Sequence, residues 1–255
     1  FRFKRLAFIK MSKKELEVIR YDILKSCHQT KEGHIGSAFS IIELLYVIFK
    51  RFLKKNYFVL SKGHASIGAY AVMYRLGLMN KKTFESFCNF NSKLGGHPDS
   101  TKLPIFNFST GSLGHGLPNS TGLAYALKQK KSKKKIICLI GDQELMEGTT
   151  WESLHIIENY NIKNLILIID RNNSDFRSIK FLKIKKKLSV FSDKLHVING
   201  HNLNNINETI KKCITNNFFN IIIANTTKGR GVKSIVNNPA WHHKSPSAEE
   251  LKIFK

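Results

Sequence analysis

The apolar positions change period along the chain. Near the start, Leu16, Ile19, Ile23 and Leu24 recur at helical spacing behind Ser12 and Glu15, which stand three apart as a capping box. A second such pair, Ser40 and Glu43, opens the apolar run Ile41 to Leu53. Both stretches are predicted as helices. Beyond Lys135 the text becomes an alternation, with Ile136 to Ile140, Leu165 to Ile169, His196 to Ile198 and Ile221 to Ala224 reading as short, β-branched strands. Between them, Thr149 to Tyr160, opened by a Thr149/Glu152 capping box, and Leu203 to Thr215 read as helices, while Ser178 to Val190 is a poorer helix. Strands joined by crossovers of this length pair in parallel, and a parallel sheet apolar on both faces needs helices on both. The predicted fold class is α/β: a doubly wound, mainly parallel sheet with helices on both faces.

Ligands of such sheets bind beyond the carboxyl ends of the strands, so the chemistry is sought there. The four predicted strands end in Gly141-Asp142-Gln143-Glu144, Asp170-Arg171-Asn172-Asn173, Asn199-Gly200-His201 and Thr226-Thr227-Lys228-Gly229-Arg230-Gly231. One edge of the sheet thus presents oxygen ligands, amide donors and glycines that let backbone approach a phosphate. Asp142 and Asn172, from successive strands, supply a carboxylate and an amide carbonyl, a hard-oxygen pair suited to Mg²⁺ already holding a diphosphate.

Composition narrows the picture less. A chain of 255 residues, 42% apolar, has material for one large core, and no apolar run approaches the roughly 20 residues of a membrane span. Residues 1–11, basic and aromatic up to Met11, are expected to form an unstructured arm, with residues 12–255 as one domain. The cysteines Cys27, Cys88, Cys138 and Cys213 are far apart, which argues against a disulfide framework or a CxxC zinc site; a reducing cytoplasm is the expected setting. A formal charge of +24 raises nucleic acid as a partner, but the lysines are scattered and accompanied by abundant Asn and Ile, as a strongly AT-rich coding sequence would produce.

Gly141-Asp142 followed by Asn172 resembles the thiamine diphosphate motif, and Glu147-Gly148 with Trp151-Glu152 resembles its transketolase form. Further matches run in order: Gly33-His34-Ile35-Gly36, Leu60-Ser61-Lys62-Gly63-His64, Gly95-Gly96-His97-Pro98, Thr110 to Gly116, Lys228-Gly229-Arg230-Gly231 and Trp241-His242-His243-Lys244-Ser245-Pro246. From Glu32 to Pro246 the chain is similar to the N-terminal, diphosphate-binding module of the transketolase family.

That resemblance implies thiamine diphosphate and Mg²⁺ as cofactors, with Asp142, Asn172 and the backbone carbonyl of Ser174 as metal ligands. It places His64, Gly114, His115, Gly141, Asp142, Gln143 and Asn172 near the cofactor, and His34, His97 and His242 in the substrate channel as catalytic groups. Imidazoles suit a reaction that removes and returns protons at sugar oxygens near neutral pH. His243 competes with His242 for one position, and His201 matches a Gly-His turn that also has a structural role. Gln143 stands where the motif has its second glycine, placing a side chain where backbone approaches the diphosphate and disfavouring φ > 0.

The implied activity is transfer of a two-carbon ketol unit from a ketose phosphate to an aldose phosphate. The family's pyrimidine-binding module, source of the activating glutamate, has no counterpart before Lys255, so a C-terminal partner subunit in an α2β2 assembly is expected. Rival readings are another thiamine diphosphate enzyme, such as a deoxyxylulose-phosphate synthase or a specialised sugar synthase, and a degenerate module that binds nucleic acid.

Overall fold

The computed structural model describes residues 13–172 and 182–253. The expected N-terminal arm, Ser12 of the first capping box and Ser174 lie outside the described residues. Five strands, β1 (Tyr57–Leu60), β2 (Ile136–Gly141), β3 (Leu165–Arg171), β4 (Lys194–Asn199) and β5 (Asn220–Asn225), form one sheet in the order β1-β2-β3-β5-β4, with every pairing parallel. Helices α1 (Lys13–Thr30), α2 (Ile35–Ser40), α3 (Ile42–Val47) and α4 (Ser66–Arg75) precede the short α5 (Lys81–Glu85). They are followed by α6 (Gly116–Gln129), α7 (Gly148–Asn159), α8 (Ile184–Leu188), α9 (Leu203–Thr215) and α10 (Ala248–Ile253).

The two-residue period of the strands divides the core in two. Ile137, Leu139, Ile166, Ile168 and Ile222 pack with Ile19, Ile23, Leu44 and Ile210 of α1, α3 and α9. Ile136, Cys138, Leu165, Leu167 and Ile221 point the other way, against Leu117, Leu154 and Leu188 of α6, α7 and α8. Each such side chain contributes about 1.5–3 kcal/mol on burial, which makes β2 and β3 the rigid centre from which the strand tips project.

All four predicted strands are present, and β4 and β5 extend beyond their expected cores. β1 is an addition: four residues between a long helical stretch and Ser61 carry too little pattern to read as a strand. The second capping box needs correction. Ser40 closes α2, and its hydroxyl lies 2.9 Å from the Ser37 carbonyl and 2.7 Å from Asp170 Oδ2. The start of α3 carries no side-chain cap. Likewise α7 begins at Gly148 without a side-chain cap, and the Thr149 hydroxyl donates to the Gly114 carbonyl at 2.8 Å. In both places hydroxyls with the right local spacing are drawn into contacts with distant segments.

Candidate active site

The register that pairs Gly141 with Asp170 sets the tips of β2 and β3 side by side, so Asp142 and Asn172 emerge from neighbouring strands. Asp170, fully buried, anchors this end of the sheet. It accepts from Lys62 Nζ at 2.5 Å, Ser40 Oγ at 2.7 Å, Asn172 Nδ2 at 2.8 Å and the Thr226 hydroxyl. Lys62 is itself only 1% exposed, so this is a buried ion pair whose remaining valences are filled by hydrogen bonds. The carboxylate can only accept, which turns the Asn172 NH₂ group toward it and the amide oxygen away. That oxygen is buried and has no hydrogen-bond partner among the described residues.

A buried, unmatched amide oxygen costs about 1–3 kcal/mol and calls for an explanation. A divalent cation bound there would provide one. Asp142, 7% exposed at the adjacent tip, could supply an anionic ligand to accompany the neutral one. Both donors are oxygens, which suit a hard cation rather than zinc.

The walls beside Asp142 are braced by Glu144, which is fully buried. Its carboxylate accepts from the Gly114 N–H at 2.9 Å, the Gly141 N–H at 2.7 Å and the Ser61 hydroxyl, tying the tips of β1 and β2 to the loop before α6. Burial raises the Glu144 pKa above the ordinary value, while those three donors act in the opposite direction. Gly114 has φ +78°, and a Cβ there would lie 2.5 Å from Glu147 Cβ; one at Gly116 would lie 2.3 Å from the Ser61 side chain. Only glycine fits either position. Gln143 sits in a right-handed 3₁₀ turn, Asp142–Met146, and needs no left-handed backbone.

Above these tips the structure gathers histidines from four segments. The His34 ring centroid lies 5.2 Å from His64, 5.5 Å from His242 and 4.6 Å from His243. His97 is close enough for its charge to act on both His34 and His64. Burial foremost, then the charges of His243, His242, His97 and Lys228, pushes the His34 pKa down to about 4. His64 is lowered well below the ordinary value by burial and then by Lys62. The Lys228 ammonium stands 3.0 Å from His242 Nδ1; since an ammonium only donates, Nδ1 accepts and the neutral ring carries its proton on Nε2. His243 lies on the outer side, 3.5 Å from Glu32.

Two other histidines turn elsewhere. The exposed His115 folds its Nδ1 back to the Leu113 carbonyl at 2.9 Å. His201 accepts the Thr227 N–H on Nε2 at 2.8 Å and donates from Nδ1 to Glu43 at 3.1 Å, a structural position beside the tip of β4. Sequence reasoning did not single out Lys62, Asp170, Glu144 or Lys228 as site residues. Lys62 and Lys228 stand inside motifs that it did recognise, and their burial is what marks them.

An all-parallel sheet with close-packed glycine, buried carboxylate and lysine at its tips defines an α/β domain for an anionic cofactor. The family described as transketolase, thiamine diphosphate binding domain, matches residues 11–255, and the chain belongs to it. It is 32% identical over 265 residues to one of the subunits of the apulose-4-phosphate transketolase of Actinobacillus succinogenes, covering 97% of this chain and 95% of that one. Human transketolase is 29% identical over 242 residues, covering 89% of this chain and 38% of its own length. The crystal structure of transketolase from Campylobacter jejuni superposes with a TM-score of 0.83 at 25% identity, covering 96% of this chain and 43% of that chain. The chain therefore spans only part of the full-length transketolases it matches. Among the described residues no helix is long and apolar enough to cross a membrane.

Proposed function

We propose that this chain is the diphosphate-binding subunit of a two-subunit transketolase and that it holds thiamine diphosphate through Mg²⁺. The observation that carries this reading is the buried Asn172 amide oxygen with no hydrogen-bond partner among the described residues, next to the tip that bears Asp142. Asp142 and Asn172 would hold the cation; Ser174, whose carbonyl the family resemblance implies as a third ligand, lies outside the described residues. Gly114, Gly141 and Gln143 border the diphosphate, with His64 and Lys228 beside it.

When bound, the cofactor supplies the nucleophilic carbon and the electron sink for breaking a ketose carbon–carbon bond. The protein supplies positioning and proton transfer. His34, kept neutral by its buried setting, His97 and His242 exchange protons with substrate hydroxyl and carbonyl oxygens. Lys228 fixes the His242 tautomer, presenting Nε2–H outward. The substrates are a ketose phosphate donor and an aldose phosphate acceptor, with apulose 4-phosphate the first donor to assay because two relatives are subunits of apulose-4-phosphate transketolases.

A second polypeptide carrying the pyrimidine-binding module completes the enzyme in an α2β2 assembly. This part of the reading is supported by the 32% identity to a relative that is itself one subunit of its enzyme. A groove between α6 and α7, with the half-exposed Tyr125, Ile156 and Tyr160 along it, gives that partner an apolar surface.

Asp142→Ala is expected to abolish Mg²⁺-dependent thiamine diphosphate binding while leaving the fold intact, and Asn172→Ala to weaken it by about tenfold, since a neutral ligand is lost. Calorimetric titration with far-UV circular dichroism checks both. Unchanged cofactor affinity in Asp142→Ala overturns the metal assignment.

A further inference from the structure

The end of the sheet opposite the cradle carries a feature that the proposed reaction does not use. Every strand runs the same way, so the starts of β1, β2, β3 and β5 lie together, about 20 Å from the tips at the rise of roughly 3.3 Å per strand residue. The connections that enter these strands are residues 53–57, 128–136, 160–165 and 216–220. Together they hold nine lysines and no aspartate or glutamate.

Hydrogen bonds join the four connections into one surface. The Tyr57 N–H donates to the Lys135 carbonyl at 3.0 Å, the Lys135 N–H to Asn56 Oδ1 at 3.2 Å, and the Ile136 N–H to the Asn164 carbonyl at 2.9 Å. Lys135 is the keystone. Its buried ammonium donates to the carbonyls of Lys163 and Asn216, at 2.8 Å each. Around it Lys54, Lys55, Lys130, Lys131, Lys133 and Lys134 are exposed, and among the described residues none of the six has a carboxylate partner. Compositional bias explains why lysine is abundant along the chain. It does not explain why lysines distant in sequence converge here with no acid among them.

Two aromatic rings stand among these charges. Lys134 Nζ lies 4.9 Å from the centroid of the Tyr57 ring, and Phe218, 45% exposed, has Lys194 Nζ 4.8 Å from its own. The aliphatic side chains of the four connections, Leu53, Ile136, Ile162 and Leu165, are all buried, so a bilayer would find no aliphatic group to take up. Charge beside ring faces instead suits a flexible phosphate backbone with unpaired bases. A lysine ammonium is a point charge without the planar fork that reads base edges, so such contacts tolerate any sequence.

We propose that this end of the molecule binds single-stranded nucleic acid, with the lysines neutralising successive phosphates and Phe218 stacking on a base. The surface lies across the sheet from the cradle, so a bound strand leaves the cofactor site open.

The test is fluorescence anisotropy of the full chain with a labelled oligouridylate of about 20 nucleotides, without thiamine diphosphate, from about 50 to about 200 mM salt. Saturable binding is expected, its log affinity falling against log salt with a slope of about −3, as for about four phosphates. Lys131→Glu/Lys133→Glu should weaken binding at least about tenfold and Phe218→Ala at least about fivefold. Lys133→Ala, a milder change at an exposed position, guards against misfolding of the double variant and should reduce the slope by about 0.7. Lys93→Glu/Lys233→Glu makes the same change of net charge on loops at the cradle end and should leave affinity within about twofold of the parent, as should Asp142→Ala. Equal losses in the two charge-reversed double variants, or an unchanged slope in Lys133→Ala, would overturn the proposal. So would equal affinity for a duplex of the same length, tighter binding to vesicles of phosphatidylcholine and phosphatidylserine, or loss of binding in Asp142→Ala, which would place the phosphates in the cofactor cradle.

Discussion

Two buried charge networks sit at the same edge of this sheet, and they end differently. Around Asp170, the carboxylate is saturated by Lys62, Ser40, Asn172 and Thr226, but the chain of hydrogen bonds leads outward to an amide oxygen with no partner among the described residues. Around Glu43, Arg20 and His201 consume both carboxylate oxygens, and the far nitrogen of His201 takes a backbone N–H. Burial alone would raise the Glu43 pKa, yet the His201 hydrogen bond and the Arg20 charge hold it below the ordinary carboxylate value. One network is open and the other closed. An open network is how a fold aims a ligating atom, because satisfying every other valence leaves only one direction for the last; a closed network is scaffold, and its chemistry must come from the groups around it.

The contrast breaks most sharply at Asp170. Replacing it by Ala strands the Lys62 ammonium in the core, a loss of about 3–5 kcal/mol, and the thermal unfolding midpoint should fall by roughly 10 °C. Asp170→Asn keeps the shape and should fold, yet bind Mg²⁺ and thiamine diphosphate more weakly, because an amide no longer dictates which way Asn172 turns. Glu43→Gln removes charge from the closed network and should cost about 1–3 kcal/mol of stability while leaving cofactor affinity within about threefold of the parent. A large loss of cofactor affinity in Glu43→Gln would show that the two networks are one.

The smallest effect is a pH slope. His34 titrates near 4 in the folded chain against 6.5 for a free imidazole, so between those values the unfolded state binds more protons and stability falls as pH is lowered. His34→Gln should flatten that dependence relative to the parent in urea unfolding followed from about pH 7 to about pH 4. An identical slope in both proteins would show that His34 is not held neutral by its surroundings.

Much of this edge is legible in the sequence because it is written locally. Asp142 and Asn172 each follow an apolar run, and the glycine–histidine pairs are contiguous. What escaped is written across the chain. Ser40 and Glu43 have the spacing of a capping box, but their side chains are claimed by Asp170 and by Arg20, and no local rule weighs a partner 130 residues away. Asp170 reads as the polar end of a strand; its importance lies in Lys62, two residues past β1, a strand too short to be recognised by its pattern. Gln143 breaks a familiar glycine pattern, yet the right-handed turn it occupies never asks for glycine.

The order of the strands also bears on how the molecule is assembled. Ile136 meets Leu165 across α7 alone, and Lys194 meets Asn220 across α9 alone, whereas Tyr57 finds Ile136 only after the whole stretch from α4 through α6 has been closed. Closing the longer loop costs more chain entropy before any contact rewards it, so β1 is expected to dock last during refolding. Pulse-labelled hydrogen exchange should find amides of β2 and β3 protected before those of β1. Ser61 and Lys62 arrive with β1, so the cradle matures only at the end of folding, and a ligand for it can select the finished protein without guiding its formation.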